Sequence, residues 1–415
     1  MHFNFYSMYK SCLTAMLAWA LMAHLLHAES AVVVSLANLG GRIRAQNPDL
    51  AAARLRIQEA LGRMNQSGRL NNPELESGFE QNSGFREGRV EIGISQRFPV
   101  TNRLKLEKNV SLTELNAAEA EVRDMERKLT GQAREIVVKI LANRQRRELL
   151  REQSKVSGEF AVFLAEIAAK GEGSPLDAGQ AKLEAASFLM ESRQLVAGEA
   201  GLHGELKPLL GMRPGESLSV GGVLPELSLP GQNADPSRRP DFEAAKLDAV
   251  GAAQGVALEQ ARRYDDVEGG IFAGAERAED APNGYENEAI IGLRFKVALP
   301  FWNKNDGAIQ EAEAKQQRKE MEAIALGRHI HLEAEAALTE MKEWSKLVAE
   351  INTTLLPLAD EQAALAETTF RKGQGEIQSV LRSREKRLQL AAARLDALRE
   401  FHLARVRYET ALYKN

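Results

Sequence analysis

Histidine and cysteine are the first places to look for chemistry in this chain, which has seven of one and a single copy of the other, Cys12. His2, His24 and His27 fall within the first 28 residues, which leaves His203, His329, His331 and His402 in the body of the chain. Only His329 and His331 are close, and residues two apart on a helix diverge by about 200°, so they cannot share a ligand there. A lone thiol excludes a disulfide framework and a cysteine-based zinc or iron–sulfur site. The chain carries no nucleophile–base motif, phosphate loop or metalloprotease signature. No enzyme activity, resident metal or cofactor is therefore expected. The net charge of −4 carries no basic excess, which argues against a nucleic-acid partner.

Composition points to architecture instead. The chain has 415 residues and only 6% aromatics, few for a protein that builds several compact cores. Ala, Leu, Glu, Arg, Lys and Gln dominate long stretches, the composition of extended helices packed along seams. Residues 1–28 read as a secretory signal peptide: Lys10 supplies the charge, Cys12 to Leu26 the apolar run, and Ala28 the cleavage position. Lys10 and Ser11 before Cys12 do not form a lipoprotein box, so no lipid anchor is expected. No later segment holds 18 consecutive apolar residues, so no membrane-spanning helix is expected.

The chain repeats itself. Asn47-Pro48-Asp49-Leu50 recurs as Arg239-Pro240-Asp241-Phe242, Phe98-Pro99 as Leu299-Pro300, and Lys170-Gly171-Glu172-Gly173 as Lys372-Gly373-Gln374-Gly375. Three pairs in the same order indicate a tandem duplication. The expected organisation is a leader over 1–28, one repeat over 29–211, a linker over 212–236 and a second repeat over 237–415. Each repeat opens on a helix, the first over about 31–66, and continues into two alternating segments. These are strands at about 73–81 and 89–98, then at about 266–277 and 289–300. Leu75, Phe79, Val90, Ile92 and Ile94, and later Ile271, Ile291, Leu293 and Phe295, mark one apolar face, with small or charged residues opposite. A polar loop is expected around Asp280 to Glu288.

Past each strand pair the period becomes seven. Leu115, Val122, Leu129, Ile136, Leu150 and Leu164 keep it in the first repeat; Ala323, Ile330, Ala337, Trp344, Ile351, Leu358 and Leu365 keep it in the second. A helix over about 103–170 would be roughly 100 Å long, and no single domain core buries that length. Glycine turns at about 171–177 and 373–379 end these helices. Leu176, Leu183, Met190 and Ala197 restart the stripe on one returning helix and Leu381, Leu388 and Leu395 on the other. Pro357 should kink its helix locally. Four strands cannot close a hollow barrel, and an open sheet in lipid leaves backbone groups unsatisfied at its edges. Several chains must then contribute, three giving twelve strands, with Tyr264, Phe301 and Trp302 suited to an interfacial aromatic girdle.

Here the chain resembles the TolC-like outer-membrane efflux proteins, most like their heavy-metal (cobalt–zinc–cadmium) branch. The carriers are the duplicated Asn-Pro-Asp-Leu and Arg-Pro-Asp-Phe helix starts, Leu206-Lys207-Pro208-Leu209-Leu210-Gly211, the paired Lys-Gly-x-Gly tips, and above all Leu299-Pro300-Phe301-Trp302-Asn303-Lys304-Asn305-Asp306-Gly307-Ala308-Ile309. The resemblance implies a mainly α fold with a small β part. Tandem-duplicated helical hairpins would form a periplasmic tunnel, and four strands per chain would enter a trimeric twelve-stranded barrel in outer-membrane lipid. It further implies a homotrimer partnered by a periplasmic adaptor and an inner-membrane pump, commonly proton-driven. On that view Gly171, Gly173, Ser174, Leu176, Gly373, Gly375, Glu376 and Ile377 are candidates for adaptor docking. Asp177 and Glu376 are candidates for acidic rings at the tunnel mouth. A duct for type I protein secretion or drug efflux, and a periplasmic coiled-coil scaffold, remain the alternatives. One departure stands out: Pro73 precedes the first strand, but Tyr264-Asp265-Asp266 takes that place in the second repeat.

Overall fold

The computed structural model describes residues 31–231, 236–280 and 282–413. The leader expected over 1–28, Cys12 included, lies outside these residues. In chain order the elements are β1 (Val32–Val34), α1 (Leu39–Gln46), α2 (Pro48–Gln66), β2 (Glu74–Gln81), β3 (Gly88–Phe98), α3 (Arg103–Ala169), α4 (Pro175–Leu209) and β4 (Leu218–Val220). Then follow α5 (Pro240–Ala261), β5 (Val267–Asp280), β6 (Gly284–Lys296), α6 (Asp306–Glu350), a π-turn (Ile351–Leu355), α7 (Leu356–Arg371) and α8 (Ile377–Ala411). Two compact units result, and neither follows the duplication. One holds the residues up to Pro48, Leu129–Pro230 and Ala337–Arg407; the other holds Asp49–Lys128, Gly231–Ala336 and the residues from Tyr408 onward. Each unit draws on both repeats.

In the first unit β1 pairs in parallel with β4, Val32 opposite Leu218. The single helix expected over 31–66 is thereby corrected. Its first residues are a strand, because three consecutive valines favour extended backbone. The helix is then interrupted at Asn47, which sits at φ −68°, ψ 123°. Pro48 forces this, since the residue before a proline is driven out of the α region. Asn47 is buried and its Nδ2 donates to the Leu209 carbonyl at 2.9 Å. Gly211, at φ +65°, closes the end of α4, and a side chain there would collide with the Gln46 carbonyl. Two of the segments that carried the family resemblance therefore meet in one joint.

The seven-residue seams of this unit are only partly filled by the chain itself. On α3, Ile136, Leu150, Ser157 and Leu164 are buried. On α4 the expected seam of Leu176, Leu183, Met190 and Ala197 is exposed, and Ala181, Ser192 and Leu206 are buried instead. A stripe shows that a face is apolar, not which neighbour covers it. Near Pro357 the ladder slips into the π-turn, where the Leu356 N–H reaches the Ile351 carbonyl.

In the second unit β2, β3, β5 and β6 form one antiparallel sheet in that order. Two strand expectations change. β5 runs on to Asp280 and β6 starts at Gly284, so the expected Asp280–Glu288 loop is a tight hairpin with Asp280 opposite Gly284. Its acidic residues look like loop by polarity, yet they pair in the ladder. At the other end β6 stops at Lys296, not 300, where Pro300 can neither donate to a ladder nor leave Leu299 unrestricted.

Candidate functional site

Register makes the sheet two-faced. Leu75, Ile94, Ile271 and Leu293 lie in one cross-strand row, and Ser77, Ile92, Ala273 and Ile291 in the next, all on the same side. The large members of both rows are exposed, Ile291 by 86%. Opposite them lie Glu74, Ser95, Gly270 and Arg294, then Glu76, Gly93, Phe272 and Gly292. That polar side is crowded. A Cβ on Gly93 would lie 3.0 Å from the Phe272 Cβ, and one on Gly270 3.2 Å from the Ser95 Cβ. Directly opposed Cβ atoms in an ordinary sheet stand ~4.5–5.5 Å apart, so here the strands curl toward the polar face. Glycine permits that curvature.

Over this glycine floor Arg294 reaches across two strands. Its Nη1 donates to Glu76 at 2.7 Å, its Nη2 pairs with Glu91, and its guanidinium stacks 5.1 Å from the Phe272 ring centre. Glu76 in turn accepts from the Ser95 hydroxyl at 2.8 Å. Arg97 bridges Glu74 and Glu268 on the same face. A sheet that is apolar on one side and ion-paired on the other suits a wall between hydrocarbon and water.

The strand-to-helix crossings are bolted by charge. Arg103, in the first turn of α3, bonds Glu107 at 2.8 Å and Asp266 at 2.7 Å. Burial alone would lower the Arg103 pKa, but these two carboxylates outweigh it and leave it raised. Asp266 thus anchors the start of β5 where the expected proline is missing, a role that spacing could not reveal because Arg103 is 163 residues away. Tyr264 lines the adjoining cavity of about 510 Å³ with Arg97, Arg103 and Lys296. Phe301 and Trp302 stand edge to face 6.3 Å apart and are exposed, Trp302 by 96%. Beyond them Asn305 adopts φ +62° and its amide donates to the Glu259 carbonyl at 2.9 Å. Arg263 donates to the Lys304 carbonyl and pairs with Asp306. The Asn303–Gly307 run is therefore a clamp onto the end of α5.

The two glycine tips are built alike. Gly171 and Gly373 have φ of +77° and +73°. Glu172 N donates to the Ile167 carbonyl and Gln374 N to the Thr369 carbonyl, each closing a helix end. Gly173 and Gly375 are needed for room: a Cβ would meet Ile167 at 2.9 Å and the Phe370 nitrogen at 3.2 Å. Ser174 caps α4 by accepting from Leu176 N, with Pro175 in the first turn. Leu176 and Glu376 are exposed and Asp177 is half-buried. Ile377 differs from the outward-facing position expected of a docking residue. It is buried against Phe160, Leu164, Ala181 and Val380, because the two tips share one apolar cluster. Among the described residues no group of three or more His, Cys, Asp or Glu is placed to hold a metal ion.

No protein-family model matches the chain. It is 24% identical over 373 residues to the cobalt-zinc-cadmium resistance protein CzcC of Cupriavidus metallidurans, covering 87% of this chain and 82% of that protein. The outer-membrane channel OprN superposes with a TM-score of 0.76 at 17% identity, over 92% of this chain and 90% of that one. CusC, whose structures concern transmembrane channel formation, gives 0.75 at 16%, with 91% of each chain covered. The outer membrane protein VceC of Vibrio cholerae gives 0.75 at 20%, over 91% and 95%. The chain has the TolC-like channel fold. Among its described residues the chain has no helix long and apolar enough to cross a membrane.

Proposed function

We propose that this chain is the outer-membrane channel of a tripartite efflux system. It would passively conduct heavy-metal cations from an inner-membrane pump and a periplasmic adaptor to the exterior. The observation that carries the proposal is the four-stranded sheet with an exposed apolar face and a curled, ion-paired opposite face. Four strands need partners to bury their edges, and three copies supply twelve. Cation cargo is supported by the likeness to a cobalt-zinc-cadmium resistance protein. A conduit needs no resident metal site, since tight binding would slow release. Tyr264, Phe301 and Trp302 would sit at the membrane interface. The tips would meet the adaptor through Gly171, Gly173, Ser174, Leu176, Gly373, Gly375 and Glu376, with Ile377 supporting them from beneath. Repeated around a three-fold axis, Asp177 and Glu376 would place acidic rings at the tunnel mouth.

Two measurements test this. Membrane fractionation should place the exported chain in the outer membrane; a soluble periplasmic location would favour the coiled-coil scaffold. A deletion strain should become sensitive to divalent cations. Sensitivity confined to drugs, or a defect confined to protein secretion, would assign a different cargo to the same duct.

A further inference from the structure

The seven-residue row on α6 is the chain's own seam as far as the π-turn. Ile330, Ala337 and Ile351 are buried in step. After the turn the buried positions are Ala359 and Ala363. From Ile351 to Ala359 is eight residues rather than seven, so the turn has inserted one residue into the register. Leu358 and Leu365, which continue the row in sequence, are thereby swung out and are 52% and 60% exposed. A second uncovered row lies on α4, where Leu176, Leu183 and Met190 are 77%, 73% and 60% exposed. Both rows belong to the same compact unit.

We propose that the π-turn Ile351–Leu355 is a register device that turns Leu358 and Leu365 away from their own chain and into a seam with Leu176, Leu183 and Met190 of a second copy. The seam rests on the multimeric channel reading given above and deepens it. Cyclic symmetry pairs one surface with a different surface on the next copy, which suits two distinct rows better than one self-complementary patch. Direction fits as well: α4 runs away from its tip and α7 runs toward its own, so copies related by an axis along the helices bring them together antiparallel. Heights fit too. At ~1.5 Å per residue, Leu176, Leu183 and Met190 lie roughly 4, 15 and 25 Å from Gly173, while Leu365 and Leu358 lie roughly 12 and 22 Å from Gly373. The two tips are level to about a turn, since Gln378 donates to Gln180 at 3.2 Å. The five side chains would then interleave as in an antiparallel coiled coil. Lys182 and Glu361 flank the rows with opposite charge, and neither has an ion-pair partner among the described residues.

The test uses the full chain in its membranes, with Cys12→Ser so that no native thiol interferes. Leu183→Cys combined with Leu365→Cys should give covalent dimers and trimers on mild oxidation, and neither single variant should. Native mass spectrometry of the detergent-extracted protein reports assembly independently. A trimer in which neither this pair nor Leu183→Cys with Leu358→Cys cross-links overturns the seam and leaves the channel reading intact. A monomer overturns both. Leu358→Gln with Leu365→Gln changes only exposed side chains and should lower trimer yield at least tenfold; an unchanged yield counts against the seam. Pro357→Ala, which removes the cause of the slip and lets an unbroken α-helix place Leu358 seven residues after Ile351 in the chain's own seam, should abolish the cross-link while circular dichroism still reports helix. A cross-link that survives the substitution overturns the role of the turn.

Discussion

Glu184 and Glu367 flank the same guanidinium, that of Arg384, yet their titrations run in opposite directions. Burial raises the Glu184 pKa more than Arg384 and Ser157 lower it, and Glu385 adds to the rise. At Glu367 burial also acts upward, but hydrogen bonds and charge from Arg384 and Arg371 outweigh it and leave the pKa lowered. A raised carboxylate pKa stabilises the fold below the unfolded value, and that contribution is lost as pH rises through the folded one. A lowered pKa stabilises above the unfolded value and is lost as pH falls. Glu184→Gln should therefore raise the melting temperature near neutrality and leave it little changed near pH ~4, while Glu367→Gln should lower it near neutrality. Melting curves followed by circular dichroism across pH check both signs. Asn47 offers a second residue-level prediction. Asn47→Ala removes the donor to the Leu209 carbonyl in a buried joint and should cost ~1–3 kcal/mol in denaturant unfolding. The Asn-Pro-Asp-Leu motif was legible in the sequence, but its partner, 162 residues away, was not.

Among the elements, the sheet shows how far alternation can be read. Period two correctly divided apolar from polar residues, because successive side chains must point to opposite faces. It did not reveal which face was concave. That follows from Gly93, Gly270 and Gly274, where a Cβ would press on the neighbouring strand. Two adjacent isoleucines now separate the faces: Ile291 lies in the apolar row and Ile290, opposite Gly274, on the polar side. Ile291→Arg should cost ~2–4 kcal/mol if that row meets the bilayer midplane, and Ile290→Arg much less. Refolding into lipid vesicles under denaturant titration would measure the difference, and equal costs would count against a lipid-facing row. The long helices were legible from their heptads. Their neighbours were not, and the exposed Leu176–Leu183–Met190 row shows why: periodicity identifies an apolar face and is silent about what covers it.

For the whole molecule, duplication in the sequence and compactness in space divide the chain differently. Each repeat supplies two strands and a helical hairpin, and each compact unit takes its pieces from both repeats. The tips follow the same logic, since Phe160 and Ala181 from one repeat and Ile377 and Val380 from the other share a cluster. Damage to one tip should thus be felt by both. Deleting Gly373–Gly375 should abolish cation resistance in a host carrying the complete system, with outer-membrane content and trimer yield unchanged. Full resistance after that deletion would count against docking at the tips.

By itself the sequence determined what is local or periodic: the strand faces, the long helices, the glycine tips and the repeat that generates two of each. These depend on φ/ψ preference and side-chain spacing, which act over a few residues. Tertiary structure alone decided the Arg103–Asp266 bolt, the Asn305 clamp on Glu259, the reach of Arg294 across the glycine floor and the one-residue slip at Ile351–Leu355. Each depends on residues distant in the chain or on a change of register that a strict period of seven overlooks. The low aromatic content of the chain fits the same architecture: its apolar surface is spread along helical seams and one face of a sheet, not gathered into a single core.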